Sequence, residues 1–244
     1  VDVNDAALAL AESVTGQEIL RRNLEEAFLS LGFLPPAVSE QVIVRHDAPV
    51  SYRVLLRDPF VDGIFLFRLV YTACIGAIWG FLPVFADAEF FLSSAAIGVL
   101  VMLGVFTSGI LQTPMGALAD RWNKRLMIFL GGLVVAASML LFQWSQGFWD
   151  LFLANVVFGV GGSMSMAPLM AIAVQKGVET RSMGAVMSLI TVAHSMGMMI
   201  GSLSAGVMME LYDMRFVFSF GAVVMLFGTV VFLACTFRRK AACG

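Results

Sequence analysis

Two groups of residues in this chain could do chemistry. The first is the run Gly116-Ala117-Leu118-Ala119-Asp120-Arg121-Trp122-Asn123-Lys124-Arg125, in which one carboxylate precedes three cations. A carboxylate there can accept hydrogen bonds from a neighbouring helix N-terminus, where the helix dipole favours an anion. Gly116 would let two helix backbones approach. Arg121, Lys124 and Arg125 can pair with carboxylates or lipid head groups, so the run reads as a contact that can be made and broken. The second group is a set of polar side chains embedded in apolar sequence: Gln112, Asn155, Ser163 and His194. An imidazole titrates near neutrality, so His194 can bind a solute or carry a proton. The alternative is a neutral His bonded to an adjacent helix. Gln112, Asn155 and Ser163 can line a cavity or bond across helices.

Other chemistry lacks its residues. Cys74, Cys235 and Cys243 show neither metal-ligand spacing nor a disulfide framework. The chain has no G-x-x-x-x-G-K-[ST] run for a nucleotide phosphate, and no nucleophile with its base. No enzyme, metal or cofactor is expected. A net charge of -2 also gives no basic face for nucleic acid.

These residues must be positioned by elements that live in lipid. Of 244 residues, 59% are hydrophobic and 13% charged, leaving too little polar surface to keep such a core in water. Residues 1–60 hold nine acidic and five basic side chains and read as a mostly helical segment outside the bilayer. From Val61 the chain becomes apolar runs broken by short polar hinges. About 20 apolar residues cross a bilayer as helix, which predicts spans at 61–86, 94–118, 126–145, 148–174, 184–209 and 216–237. A tail at 238–244 follows. The fold class is an all-α membrane protein of six transmembrane helices, with the lipid bilayer as its first partner.

Lys and Arg are retained on the cytoplasmic side. If residues 1–60 lie there, thirteen cations share that side and only Arg215 faces the other. Both termini are therefore expected in the cytoplasm, in an inner or plasma membrane. Arg68, near the start of the first span, would snorkel to the same interface. Gly76, Gly80 and Pro83 predict a bend near the outer end of that span. The methionines concentrate in spans four and five, as suits a yielding apolar cavity.

The Gly116–Arg125 run resembles the G-x-L-a-D-r-x-G-r-k motif between helices two and three of the major facilitator superfamily, whose weaker copy recurs between helices eight and nine. It departs at Asn123, where the family prefers Gly; Asn tolerates a left-handed backbone better than most residues. The resemblance covers residues 50–237. Asn155, four residues before Gly159, replaces the Arg common in N-terminal halves, and Gly201-Ser202 replaces a Gly-Pro pair of proton-coupled exporters. The resemblance thus implies the C-terminal half of a twelve-helix fold, with residues 1–60 as the central loop and an N-terminal half, or a second copy, as partner.

The function so implied is secondary active transport of a small solute by alternating access, including proton-coupled efflux of amphipathic compounds. Gly116, Asp120, Arg121, Lys124 and Arg125 would gate the cytoplasmic side. His194 lies ten residues into its span, about 15 Å along the helix. That depth is near the midplane, where the resemblance places substrate. Asn155, Gln112 and Ser163 would share the pathway. The competing expectation is a non-transporting six-helix scaffold or sensor derived from a transporter half.

Overall fold

The computed structural model describes residues 59–242, with side chains from 60 to 236. Residues 1–58, and with them nearly all of the expected central loop, lie outside the described residues. So do the side chains of the 238–244 tail.

Among the described residues there are six helices: α1 Pro59–Phe90, α2 Ser94–Arg121, α3 Lys124–Gln143, α4 Phe148–Glu179, α5 Met183–Leu211 and α6 Phe216–Ala242. All six are long and apolar enough to cross a membrane. The helices overrun most of the expected bounds. α1 continues through Pro83 to Phe90, α6 runs on to Ala242, and α3 stops two residues short of 145. Their ends are chemically defined. Ser93 caps α2 by accepting from Ala96 N–H at 3.4 Å. Asn123 caps α3 by accepting from Arg125 N–H at 3.1 Å. Asn123 has φ −69°, so the departure from Gly supplies a cap and not a left-handed turn. The left-handed residues are Phe91 and Arg181, at φ 51° and 50°. Each ends a helix, and the following N–H turns back onto it: Leu92 N–H to Ala86 C=O at 3.3 Å, and Ser182 N–H to Gly177 C=O at 2.9 Å, the second a six-residue closure.

That likeness extends to packing. α1 packs most broadly on α5 and next on α6; α4 packs on α3 and α2; α3 lies on α6. Exchanging the first three helices for the last three, in order, maps this pattern onto itself. Three is odd, so the second set crosses the bilayer in the opposite sense: the arrangement is an inverted repeat. α2 and α5 are equivalent in it, and both leave most of their span uncovered by the rest of the chain.

Glycines decide how closely the helices meet. A Cβ at Gly197 or Gly201 of α5 would strike the α1 backbone at Leu69 or Ala73, and one at Gly76 would strike Met198 of α5. Gly76 is therefore a contact between helices. Thr72 Oγ1 donates toward Ala193 C=O at 3.3 Å, and Ser202 Oγ donates to Gly76 C=O at 3.1 Å across the same seam. α3 and α4 meet in the same manner, at Gly131 against Ser165 and Gly161 against Val135.

The two ends of the bundle differ. One carries Trp122, Lys124, Arg125 and Lys176, and is called the basic end below. The other exposes Phe91, Trp144, Trp149, Tyr212 and Phe216, aromatic side chains of the kind that settle at a membrane interface. Here Arg215 joins three helices. Its Nη1 donates to Gln143 C=O at 3.0 Å and Ser145 C=O at 3.2 Å, its Nη2 pairs with Glu89 at 3.2 Å, and its guanidinium lies 5.6 Å from the Phe85 ring centroid. Replacing it by Gln is expected to cost about 1–2 kcal/mol. Thermal unfolding in detergent would show this as a lower midpoint; an unchanged midpoint would leave Arg215 without a structural role.

Candidate functional site

At the basic end the Gly116–Arg125 run divides into two parts. Arg125 is tied into the bundle, with Nη1 donating to Thr236 C=O of α6 at 3.4 Å and the guanidinium 5.5 Å from the Phe60 ring centroid on α1. Lys124 and Arg125 line a cavity of about 350 Å³ with Lys176 and Glu179 of α4. Asp120 and Arg121 are exposed and, among the described residues, take no hydrogen bond or ion pair. Among the described residues, nothing lies within 4 Å of a Cβ built at Gly116. The close backbone approach expected at Gly116 is thus not made among the described residues.

Deeper in the bundle, α1, α2 and α4 enclose a cavity of about 230 Å³. Its walls are Tyr71, Ile75, Ile78, Trp79 and Phe158, and its polar groups are Ser108, Gln112 and Asn155. Trp79, Val105 and Gln112 on its rim are exposed, so it opens to the side of the bundle that the chain leaves uncovered. Tyr71 and Phe158 stack with centroids 5.9 Å apart. Asn155 is buried, and its Nδ2 donates back to Leu151 C=O at 2.9 Å. This leaves the amide oxygen as its free acceptor, close over Gly104 of α2. Ser163 is also buried, but its hydroxyl bonds to Val160 C=O of its own helix at 2.9 Å and it does not line the cavity.

His194 belongs to a second cluster. Its Nδ1 lies 3.3 Å from Arg68 Nη2, and Arg68 Nη1 approaches Met166 Sδ at 2.7 Å. Arg68 therefore points into the bundle toward α4 and α5; it does not snorkel to an interface. Arg68, Ile75 and Trp79 fall on nearly one line along α1, because 7 and 11 residues are close to whole numbers of turns. Asn155 and Met166 are 11 apart on α4 in the same way. α1 and α4 run in opposite senses, so the Arg68 cluster and the cavity lie on the same faces of both helices and together span about 16 Å along them.

The Major Facilitator Superfamily profile matches residues 63–242, from the first helix through the last. The chain belongs to the major facilitator superfamily. It is a multi-pass membrane protein of a transporter family and not an enzyme. A peptide transporter of known crystal structure superposes with a TM-score of 0.54 at 15% identity, over 76% of this chain and 41% of that one, which shows the shared fold. An uncharacterised MFS-type transporter of Methanocaldococcus jannaschii is 25% identical over 184 residues, 75% of this chain and 47% of its own length. The multidrug resistance protein MdtG of Proteus mirabilis is 29% identical over 56% of this chain and 33% of itself. MdtH of Yersinia enterocolitica is 33% identical over 46% and 27%. The chain spans about half or less of the length of these relatives: it is half of a major facilitator fold.

Within that fold, Gln112 and Asn155 come together in one cavity, while His194 and Ser163 stand outside it. Reading single polar residues missed Tyr71, Trp79, Phe158 and Ser108. The signal for the aromatic wall was the spacing of Arg68, Ile75 and Trp79, which sets a cation and an indole on the same face of one helix.

Proposed function

We propose that this chain forms one wall of a secondary active transporter that moves a small amphipathic solute by alternating access. The observation that carries this reading is the groove on α1, α2 and α4, with aromatic walls, a few neutral polar groups and an open side facing away from the chain's own core. Solute would bind there between this half and an N-terminal half, or a second copy, set against the uncovered faces of α2 and α5. The cytoplasm lies at the basic end, in an inner or plasma membrane, with both termini inside. Gly116, Asp120 and Arg121 latch that side when it is closed, by contacts to the partner half. Relatives named for multidrug resistance support efflux of amphipathic compounds; in this reading the proton gradient drives it.

Reconstitution of the natural protein carrying this segment into liposomes tests the reading. A lipophilic dye should move saturably, and only while a pH gradient is imposed. Dye movement that ignores the gradient, or never saturates, would sink it. His194→Ala should shift the pH dependence of the rate or raise the apparent KM by about tenfold, since it removes the one imidazole among the described residues. If both stay fixed, His194 serves only to pack α5 on α1.

A further inference from the structure

The Arg68 cluster holds a charge that nothing in the described chain balances. A guanidinium within a span is expensive unless paired. It offers five N–H donors and prefers a bidentate carboxylate or phosphate. Here Nη1 meets a thioether, Nη2 meets a neutral-capable ring nitrogen, and Nε is buried with no acceptor. None of these neighbours is an anion. Among the described residues the carboxylates stand at helix ends or in the connections, including Asp62 in the first turn of α1, Asp150 in the first turn of α4 and Asp120 in the last turn of α2. Met166, whose sulfur occupies one guanidinium donor, is a flexible side chain that a stronger acceptor can displace.

We infer that the solute is an amphipathic organic anion, its single negative group held by Arg68 beside His194 and its apolar body laid along Tyr71, Ile75 and Trp79. This rests on the transporter reading and gives it a substrate class. The order along α1 and α4 matches this: Arg68 comes first on the shared helix faces, then the aromatic wall of the cavity, with the amides of Gln112 and Asn155 in that cavity about 16 Å further along. No carboxylate lines the cavity, so an organic cation would have only aromatic faces to offset the field of Arg68. One anionic group suffices, because Arg68 is the one Lys or Arg within the apolar stretches of the six described spans.

Three probes of equal shape separate the possibilities: 2-naphthoate, 2-naphthyltrimethylammonium and the neutral 2-acetylnaphthalene. Binding is read by equilibrium dialysis on the natural protein in detergent, with empty micelles subtracted. The wild type should hold the carboxylate at least about tenfold tighter than the cation, the scale of one charged hydrogen-bonded contact. Arg68→Gln should remove that preference while changing the affinity for the neutral ketone less than about twofold, since the ketone relies on the aromatic wall. Equal affinities for the three, or a carboxylate affinity untouched in Arg68→Gln, overturn the anion assignment and leave the transporter reading standing. That outcome also follows if a carboxylate of the partner half neutralises Arg68. Failure of all three to bind overturns the groove as a solute site. Should Arg68→Gln not fold, the wild-type ranking of the probes decides alone.

Discussion

Gly201→Leu is expected to abolish the folded protein. Along the α1–α5 seam the two backbones touch: a Cβ at Gly201 would meet the Ala73 carbonyl, and one at Gly197 would meet Thr72 and the Leu69 carbonyl. The obstacle is main chain, which cannot rotate away as a side-chain tip does. Lipid offers little hydrophobic drive to hold helices together, so association depends on close packing and on the bonds from Thr72 and Ser202 across the seam. Forcing the helices apart loses both. The loss should exceed about 3 kcal/mol, above the usual range for an overpacked core. Gly184→Leu is the control on the same helix, because nothing lies within 4 Å of a Cβ there. Size-exclusion profiles and thermal unfolding in detergent should show aggregation for the first variant and a near-normal midpoint for the second. A monodisperse Gly201→Leu protein with a normal midpoint would refute the seam.

Asp120→Asn should slow transport by about tenfold while leaving expression and thermal midpoint unchanged. Asp120 sits in the last turn of α2, where the helix dipole disfavours a carboxylate. It is exposed, and no described residue of the chain compensates it. The proposed latch supplies that compensation from outside the described residues. Losing a charge-assisted bond of about 1–3 kcal/mol shifts the balance between the two access states by a factor of about 5 to 150. Flux measured in liposomes, together with labelling of a cysteine introduced near residue 117, reads both consequences. The label should react faster in the variant, as the cytoplasmic side spends longer open. Unchanged flux and labelling would reduce Asp120 to a part of the topology signal.

The helices were legible in the sequence because lipid imposes one rule on every span: length and apolarity suffice. Their ends were less so. α1 overruns its expected end because Pro83 breaks one hydrogen bond without stopping a helix that neighbours support, and Phe91 provides the actual stop by turning left-handed. At the site, Gln112 and Asn155 could be found as isolated polar residues in apolar runs. Arg68 could not be read correctly, because a cation six residues past Asp62 looks like an interfacial one. What turns it inward is the approach of Met166 and His194, 98 and 126 positions away. Gly116 and Asp120 carry the family's pattern, yet their contacts are not made within these six helices.

The exchanged pairing of the repeats also bears on how the protein is made. α1 has its broadest contact with α5, through groups such as Thr72 and Ala193 that are 121 residues apart. A ribosome adding about 5–20 residues per second leaves α1 without that neighbour for several seconds or more. During that wait Arg68 has neither His194 nor Met166 beside it and must be sheltered by the insertion machinery or by water. Chains released after α4 would keep α2, α3 and α4 together but leave α1 almost bare. The first of these six helices to enter the membrane is therefore among the last of them to settle.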